Sequence, residues 1–144
     1  MPNKFTHRFL EPNESLPATE TISAVFLVAF HNGKLLSIQN ERGWDIPGGH
    51  IEGDEKPLVA LRREALEEAG AKVGNASPYA ILTSTTSSKI MVFFASNDIT
   101  MVDFVPSEDA LDRGLLDTED LLARYYGDKE LLGALIEGVE QMLN

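Results

Sequence analysis

One stretch constrains this chain more than any other: Gly49 to Ala71, GHIEGDEKPLVALRREALEEAGA. Its second half reads as a short helix. Pro57 suits a first helical turn because it has no N–H to leave unpaired, and Gly70 ends the helix, as glycine does just past a last turn. Leu58, Leu61, Ala65 and Ala69 recur at helical spacing and predict one apolar stripe. Glu64, Glu67 and Glu68 stand three and four residues apart, so their carboxylates share another flank of the helix and repel one another. A divalent cation removes that conflict. Magnesium takes oxygen ligands in near-octahedral geometry, keeps several waters, and completes its shell with carboxylates and substrate phosphates. Taken alone, such a flank is also what a solvated helix face presents.

The rest of the stretch decides between these. Gly49, Glu55, Arg63, Glu64, Ala65, Glu67, Glu68, Gly70 and Ala71 fit the spacing G-x5-E-x7-R-E-U-x-E-E-x-G-U, with U an aliphatic residue. Seven fixed positions, each filled by chance in about 6–7% of cases, would coincide in such a chain about once in a million. A merely soluble helix does not account for that. The segment resembles the Nudix box, with Ala65 and Ala71 at the small end of the aliphatic positions, and the chain is similar to Nudix hydrolases.

That resemblance implies an α/β chain folded as an α/β/α sandwich with a mixed sheet and a catalytic loop-helix-loop. It implies Mg2+ (or Mn2+) as cofactor, held by Glu64, Glu67, Glu68 and a backbone carbonyl at Gly48. Glu67 or Glu68 would position or deprotonate a water, and Arg63 would pair with Glu55 to hold the glutamate helix against its loop, with Gly49 opening the motif. A further acid often comes from a late loop. Glu108 is the candidate here, with Asp109 and Asp103 as alternatives.

Length and composition agree with an enzyme of this kind. At 144 residues, with 43% hydrophobic and 24% charged residues, the chain suits one globular domain over 1–144. It carries neither a run long enough to span a membrane nor a signal-like start, so a cytoplasmic location is expected. The absence of cysteine excludes disulfides and thiolate metal sites. A net charge of −11 disfavours a nucleic-acid polymer, whose phosphates need Lys and Arg, but not a small nucleotide arriving with its own cations.

Residues 1–20 read as an arm or loop with a short strand near Thr6–Leu10, a candidate for a dimer contact or a pocket lid. Thr21–Phe30 is a buried strand, and the Asn32-Gly33 pair turns it back into Lys34–Gln39. Trp44-Asp45-Ile46 is a short strand that Pro47-Gly48-Gly49 ends. Of the candidate substrate contacts there, Arg42 could steer a phosphate and Trp44 could stack on a base or simply pack. His50 reads as solvated.

Beyond the box, Lys72–Val73, Tyr79–Thr85 and Ile90–Ser96 are strand-like, with Gly74–Pro78 as a turn. Phe93 and Phe94 must point to opposite faces, so one of them, with Phe93 as the candidate, can face a pocket. Asn97–Val105 is ambiguous between edge strand and loop. Leu115–Leu116 reads as a last strand, Asp117 as the cap of a helix over Thr118–Tyr126, and Leu131, Leu132, Leu135, Ile136, Val139, Met142 and Leu143 as the stripe of a final helix.

For substrate, the markers that the family pattern gives for ADP-ribose, diadenosine polyphosphate, NADH and coenzyme A are missing after the box. WDIPGG before it is more similar to MutT-like enzymes that cleave nucleoside triphosphates. An ADP-ribose, dinucleotide or nucleotide-sugar pyrophosphatase stays open, as does a non-catalytic nucleotide sensor. A homodimer is compatible with the fold, although no heptad seam marks one.

Overall fold

A ten-residue strand, β2 (Ile22–His31), runs through the middle of the sheet and divides two cores. Its side chains alternate, as strand geometry requires: Val25, Leu27 and Ala29 enter one core, and Val28 enters the other. The computed structural model describes residues 4–143. Around β2 lie β1 (Phe5–Phe9), β3 (Lys34–Asn40), β7 (Ser77–Ser84), β8 (Ile90–Ser96) and β10 (Asp112–Leu116), in the order β1-β7-β8-β2-β3-β10. β2 and β8 run parallel and the other neighbours antiparallel, so the sheet is mixed. Short β4 (Gly43–Asp45) pairs with β3, and β5 (Gly48–His50) pairs with β2.

The β2–β3 hairpin forms as its sequence predicts, with Asn32 at φ 53° and Gly33 at φ 81°. Helix α1 (Pro57–Ala69) has the predicted limits, and Gly70 takes the left-handed conformation at φ 57°. α1 covers one face of the sheet through Ala60, Leu61, Ala65 and Ala69, with Leu58 only partly buried. Three of those residues are alanines, which lets the helix axis approach the strands closely. On the opposite face, α2 (Thr118–Arg124) and α3 (Lys129–Leu143) bury Leu121, Leu132, Leu135, Ile136 and Val139. The layers are helix, sheet, helices. Phe94 lies under α1 and Phe93 faces the other way, as their adjacency predicts.

Several local expectations change. Residues 4–20 are not a free arm, because β1 is hydrogen-bonded to β7 along the sheet edge. Gly48 and Gly49 do more than end a strand, since they themselves pair with Phe26 and Val25 of β2. Ser77 and Pro78 belong to β7 rather than to the preceding turn, and the register slips between Pro78 and Ala80, which accommodates a residue without an N–H. The ambiguous segment contains β9 (Ile99–Met101), paired with β6 (Ala71–Val73). Asp117 sits at the N-cap position of α2 without making the capping bond, and its carboxylate lies 3.8 Å from Lys34 Nζ. α2 ends at Arg124, before Tyr126, because Tyr125 is extended. In the last helix Met142 is exposed rather than part of the buried stripe.

The C-terminal end of α1 is tied down from the far side of the chain. Arg113 Nη1 donates to the carbonyls of Ala69 (2.9 Å) and Gly70 (2.8 Å), and its guanidinium lies 5.7 Å from the Phe104 ring. The Ala69 carbonyl is one that a helix end leaves unsatisfied, while the Gly70 carbonyl also accepts the Val102 N–H. Arg113→Met is expected to lower Tm by about 5 °C through loss of these bonds, a change thermal denaturation would read directly. An unchanged Tm would mean that water replaces the guanidinium at no cost.

Candidate active site

Helical geometry sorts the three glutamates. At about 100° per residue, Glu68 lies about 40° from Glu64, while Glu67 falls about 60° to its other side. Glu64 and Glu68 accordingly line a cleft together with Gly48, Gly49, Glu52, Glu108 and Asp109. Glu67 is absent from that lining, with its side chain 60% exposed and 3.3 Å from Arg63 Nη1. The shared flank read from sequence is thus split into two residues inside and one outside.

The backbone beneath these carboxylates is glycine for a steric reason. A Cβ on Gly49 would stand 2.5 Å from the Glu64 carboxyl carbon. One on Gly48 would meet the Phe26 ring and the Val25 carbonyl oxygen. Gly48 N–H donates to Glu68 Oε1 at 2.9 Å. The Glu68 carboxyl is nevertheless raised to about 7, first by burial, and then by the charges of Glu64, Asp109 and Asp45, against the opposing Gly48 bond. Burial also raises Glu64, and Arg63 partly offsets this.

Arg63 joins the helix to its loop. It grips Glu55 with two bonds of 2.8 and 2.9 Å, reaches Glu64 Oε1 at 2.9 Å, and donates to the His50 carbonyl at 3.1 Å. These bonds raise the Arg63 guanidinium and hold Glu55 below the usual carboxylate range. The exposed His50 side chain is at the cleft mouth.

The late loop reaches the same cleft. Buried Ala110 pins it, its carbonyl accepting the Ser107 N–H at 2.9 Å, while Leu111 N–H donates to the Gln39 carbonyl. Glu108 and Asp109 both line the cleft, and Asp109 is the one whose charge acts on Glu68. Asp103 is absent from the lining; its carbonyl lies beside Gly70.

The remaining candidates separate in the same way. Arg42 lines the cleft. Trp44 does not, and its half-buried ring packs over Gly114, where a Cβ would stand 3.3 Å from it. Phe93 lines an adjoining apolar cavity of about 580 Å³ and stacks on Phe26 at 5.1 Å. Phe26, Arg42, Asp45, Ile46 and Tyr126 line both spaces, so the cavity adjoins the cleft. Phe26, Asp45 and Tyr126 escaped the sequence reading. Only the Asp of WDIPGG lay near enough to the box to have drawn notice.

A family model described as NUDIX domain matches residues 20–128, well over half of the chain. The chain belongs to the Nudix family. It is 36% identical over 66 residues to a MutT-like protein of Streptomyces ambofaciens, covering 44% of this chain and 43% of that one. This chain therefore aligns with less than half the length of that relative. Among solved structures it is similar to the Bacillus subtilis pyrophosphohydrolase BsRppH, with TM-score 0.73, 19% identity, and coverage of 96% of this chain and 92% of that one. The MutT protein of Bacillus halodurans gives TM-score 0.63 at 19% identity, covering 78% and 80%. The Nudix fold is thus shared with both.

The cleft fits a hard divalent cation by donor chemistry. Its lining offers carboxylate and backbone oxygens, and no thiolate. Among the described residues no three Asp, Glu or His side chains are already grouped as a cage. Magnesium does not demand one, since it takes one or two carboxylates and fills its shell with water and phosphate. Among the described residues no helix is long and apolar enough to cross a membrane.

Proposed function

We propose that this protein hydrolyses a pyrophosphate bond in a nucleoside diphosphate derivative, with a nucleoside triphosphate yielding nucleoside monophosphate and pyrophosphate as the preferred case. The observation that carries this reading is the junction of two spaces. An acidic cleft, able to take cations and phosphates, adjoins an aromatic-lined cavity able to take the organic end of a nucleotide, the two sharing five lining residues.

Glu64 and Glu68, with the Gly48 carbonyl and Glu67, are the residues that would hold Mg2+ or Mn2+. Bound there, the cation supplies charge neutralisation of the phosphate oxygens and a more acidic water. Arg63 keeps Glu64 turned toward the cleft through its 2.9 Å bond. Arg42, the one Lys or Arg in the lining, orients a phosphate. The attacking water gives its proton to a carboxylate as its oxygen bonds to phosphorus and the bridging P–O bond breaks. Glu67 and Glu68 remain the candidates for that acceptor, and position inside the cleft favours Glu68. Glu108 and Asp109 contribute further acidic oxygen from the opposite loop. Glu55 and Gly49 support the helix without touching substrate.

The test is product release from a panel of nucleoside triphosphates, oxidised purine triphosphates, ADP-ribose, dinucleotides and nucleotide sugars with Mg2+ or Mn2+. Monophosphate and pyrophosphate from a triphosphate are expected. AMP from ADP-ribose or a dinucleotide would keep the chemistry and replace the substrate. Binding without turnover across the panel would overturn the enzyme reading in favour of a sensor.

A further inference from the structure

We propose that Asp45 determines base specificity, its carboxylate accepting the two adjacent N–H groups of a guanine-type base lodged against Phe26 and Phe93. The proposal rests on the nucleotide reading above and deepens it. Asp45 ends β4 and lines both the cleft and the apolar cavity, so it stands where phosphates and organic moiety would meet.

Its carboxylate is fixed from two sides. Oδ1 accepts the Ile46 N–H at 2.7 Å, and Oδ2 accepts the Tyr126 hydroxyl at 2.9 Å. Tyr126 is oriented in turn, because its oxygen accepts from Asn40 Nδ2 at 3.1 Å, which commits the hydroxyl proton to Asp45. The Arg42 guanidinium lies 5.6 Å from the Tyr126 ring and further restrains it. Gly43, at φ 147°, lets this turn close against the Arg124 carbonyl, where a Cβ would stand at 2.6 Å. A directed chain therefore runs from Asn40 through Tyr126 to Asp45. Each Asp45 oxygen has accepted one bond and keeps an acceptor position for another.

The rest is complementarity. An ionised carboxylate only accepts, and two parallel N–H donors are its best partner. Guanine presents N1–H beside its N2 amino group. Hypoxanthine keeps N1–H and lacks the amino group. Adenine presents an acceptor at N1 beside its N6 amino group, and uracil flanks its single N–H with two carbonyls. Only the guanine edge fills both open positions without opposing a lone pair to a negative oxygen. The ring face meets apolar and aromatic surface in Phe26, Phe93, Leu82 and Met91. Burial of Asp45 strengthens the discrimination, since a wrong edge shields the carboxylate from water without filling its remaining acceptor positions.

The test is calorimetric binding of GMP, IMP and AMP to the metal-free protein. These ligands contain no pyrophosphate bond, so binding is read without turnover. GMP is expected to bind about tenfold tighter than IMP, for loss of one charge-assisted bond, and at least about a hundredfold tighter than AMP, which loses one bond and sets the N1 lone pair against the other carboxylate oxygen. Asp45→Asn replaces one acceptor by a donor, matches the adenine edge, and should reverse the GMP:AMP preference. Tyr126→Phe leaves the carboxylate but frees its orientation, and should shrink the preference. Equal affinity for the three ligands in the unsubstituted protein, or a ratio unmoved by Asp45→Asn in a folded protein, would overturn the proposal alone. Failure of every monophosphate to bind, with no turnover of any triphosphate, would remove the nucleotide reading and this one together.

Discussion

Glu68→Gln is expected to lower turnover by at least about a thousandfold while leaving the fold intact or more stable. The amide oxygen can still accept the Gly48 N–H that now reaches Glu68 Oε1 at 2.9 Å, so the helix stays docked on its glycine strand. On the proposed mechanism, what is lost is an anionic ligand and a proton acceptor. What is gained is relief from a buried charge among Glu64, Asp109 and Asp45.

Linkage gives this variant a pH signature. The Glu68 carboxyl is raised from 4.5 to about 7, so between those values the folded, metal-free protein holds a proton that the unfolded chain has released. Its stabilising contribution is complete below about pH 4.5 and is lost as pH rises through about 7. Thermal melts without metal should therefore show the unsubstituted protein losing ground to Glu68→Gln across that window. Added Mg2+ at pH 8 should raise the Tm of the unsubstituted protein by mass action and do less for the variant. A variant that turns substrate over normally would remove Glu68 from the mechanism. A variant that melts early would show that the carboxylate holds the fold together.

The sequence reading succeeds where the determinants are local and fails where they are not. Helix α1 is legible because proline, the apolar stripe and glycine lie within fourteen residues of one another. The Asn32-Gly33 turn is legible because only a few residue types tolerate both positive φ values. The opposed faces of Phe93 and Phe94 follow from strand geometry alone. The glutamates are legible as a group, but their division between cleft and exposed surface depends on where Arg63 and the glycine strand sit around the helix. Asp45 and Tyr126 are 81 residues apart, and their bond leaves no periodic trace in either segment. Trp44 points the other way for the same reason. Its neighbour Gly114 arrives from β10, a strand whose pairing with β3 no local pattern announces. Glu108 and Asp109 both line the cleft, and that the charge of Asp109 acts on Glu68 depends on how the loop folds back across the chain, which no local pattern announces.

Arg63→Met carries the largest expected loss of stability. One guanidinium makes five bonds: two to Glu55, one each to Glu64 and Glu67, and one to the His50 carbonyl. Its side chain is only 20% exposed, with Glu55 at 19% and Glu64 at 14%, so solvent replaces few of these contacts. Removing the cation leaves two shielded carboxylates without a counter-charge, Glu55 keeping only the Glu52 N–H at 2.9 Å, and releases the loop at His50 and Glu55. Removing one member of such a cluster costs more than its pairing contributes, because the partners stay desolvated. Tm is expected to fall by about 5–10 °C near neutral pH. Arg63→Lys should recover little, since an ammonium cannot span Glu55 and Glu64 with one planar fork. The pH dependence has a definite sign. Arg63 bonding lowers the Glu55 carboxyl from 4.5, so its contribution is present above about pH 4.5 and is lost as pH falls through the lowered value. The gap in Tm between the unsubstituted protein and Arg63→Met should therefore narrow in acid. A gap that stays constant would mean that Arg63 acts through packing of its stem rather than through its charge.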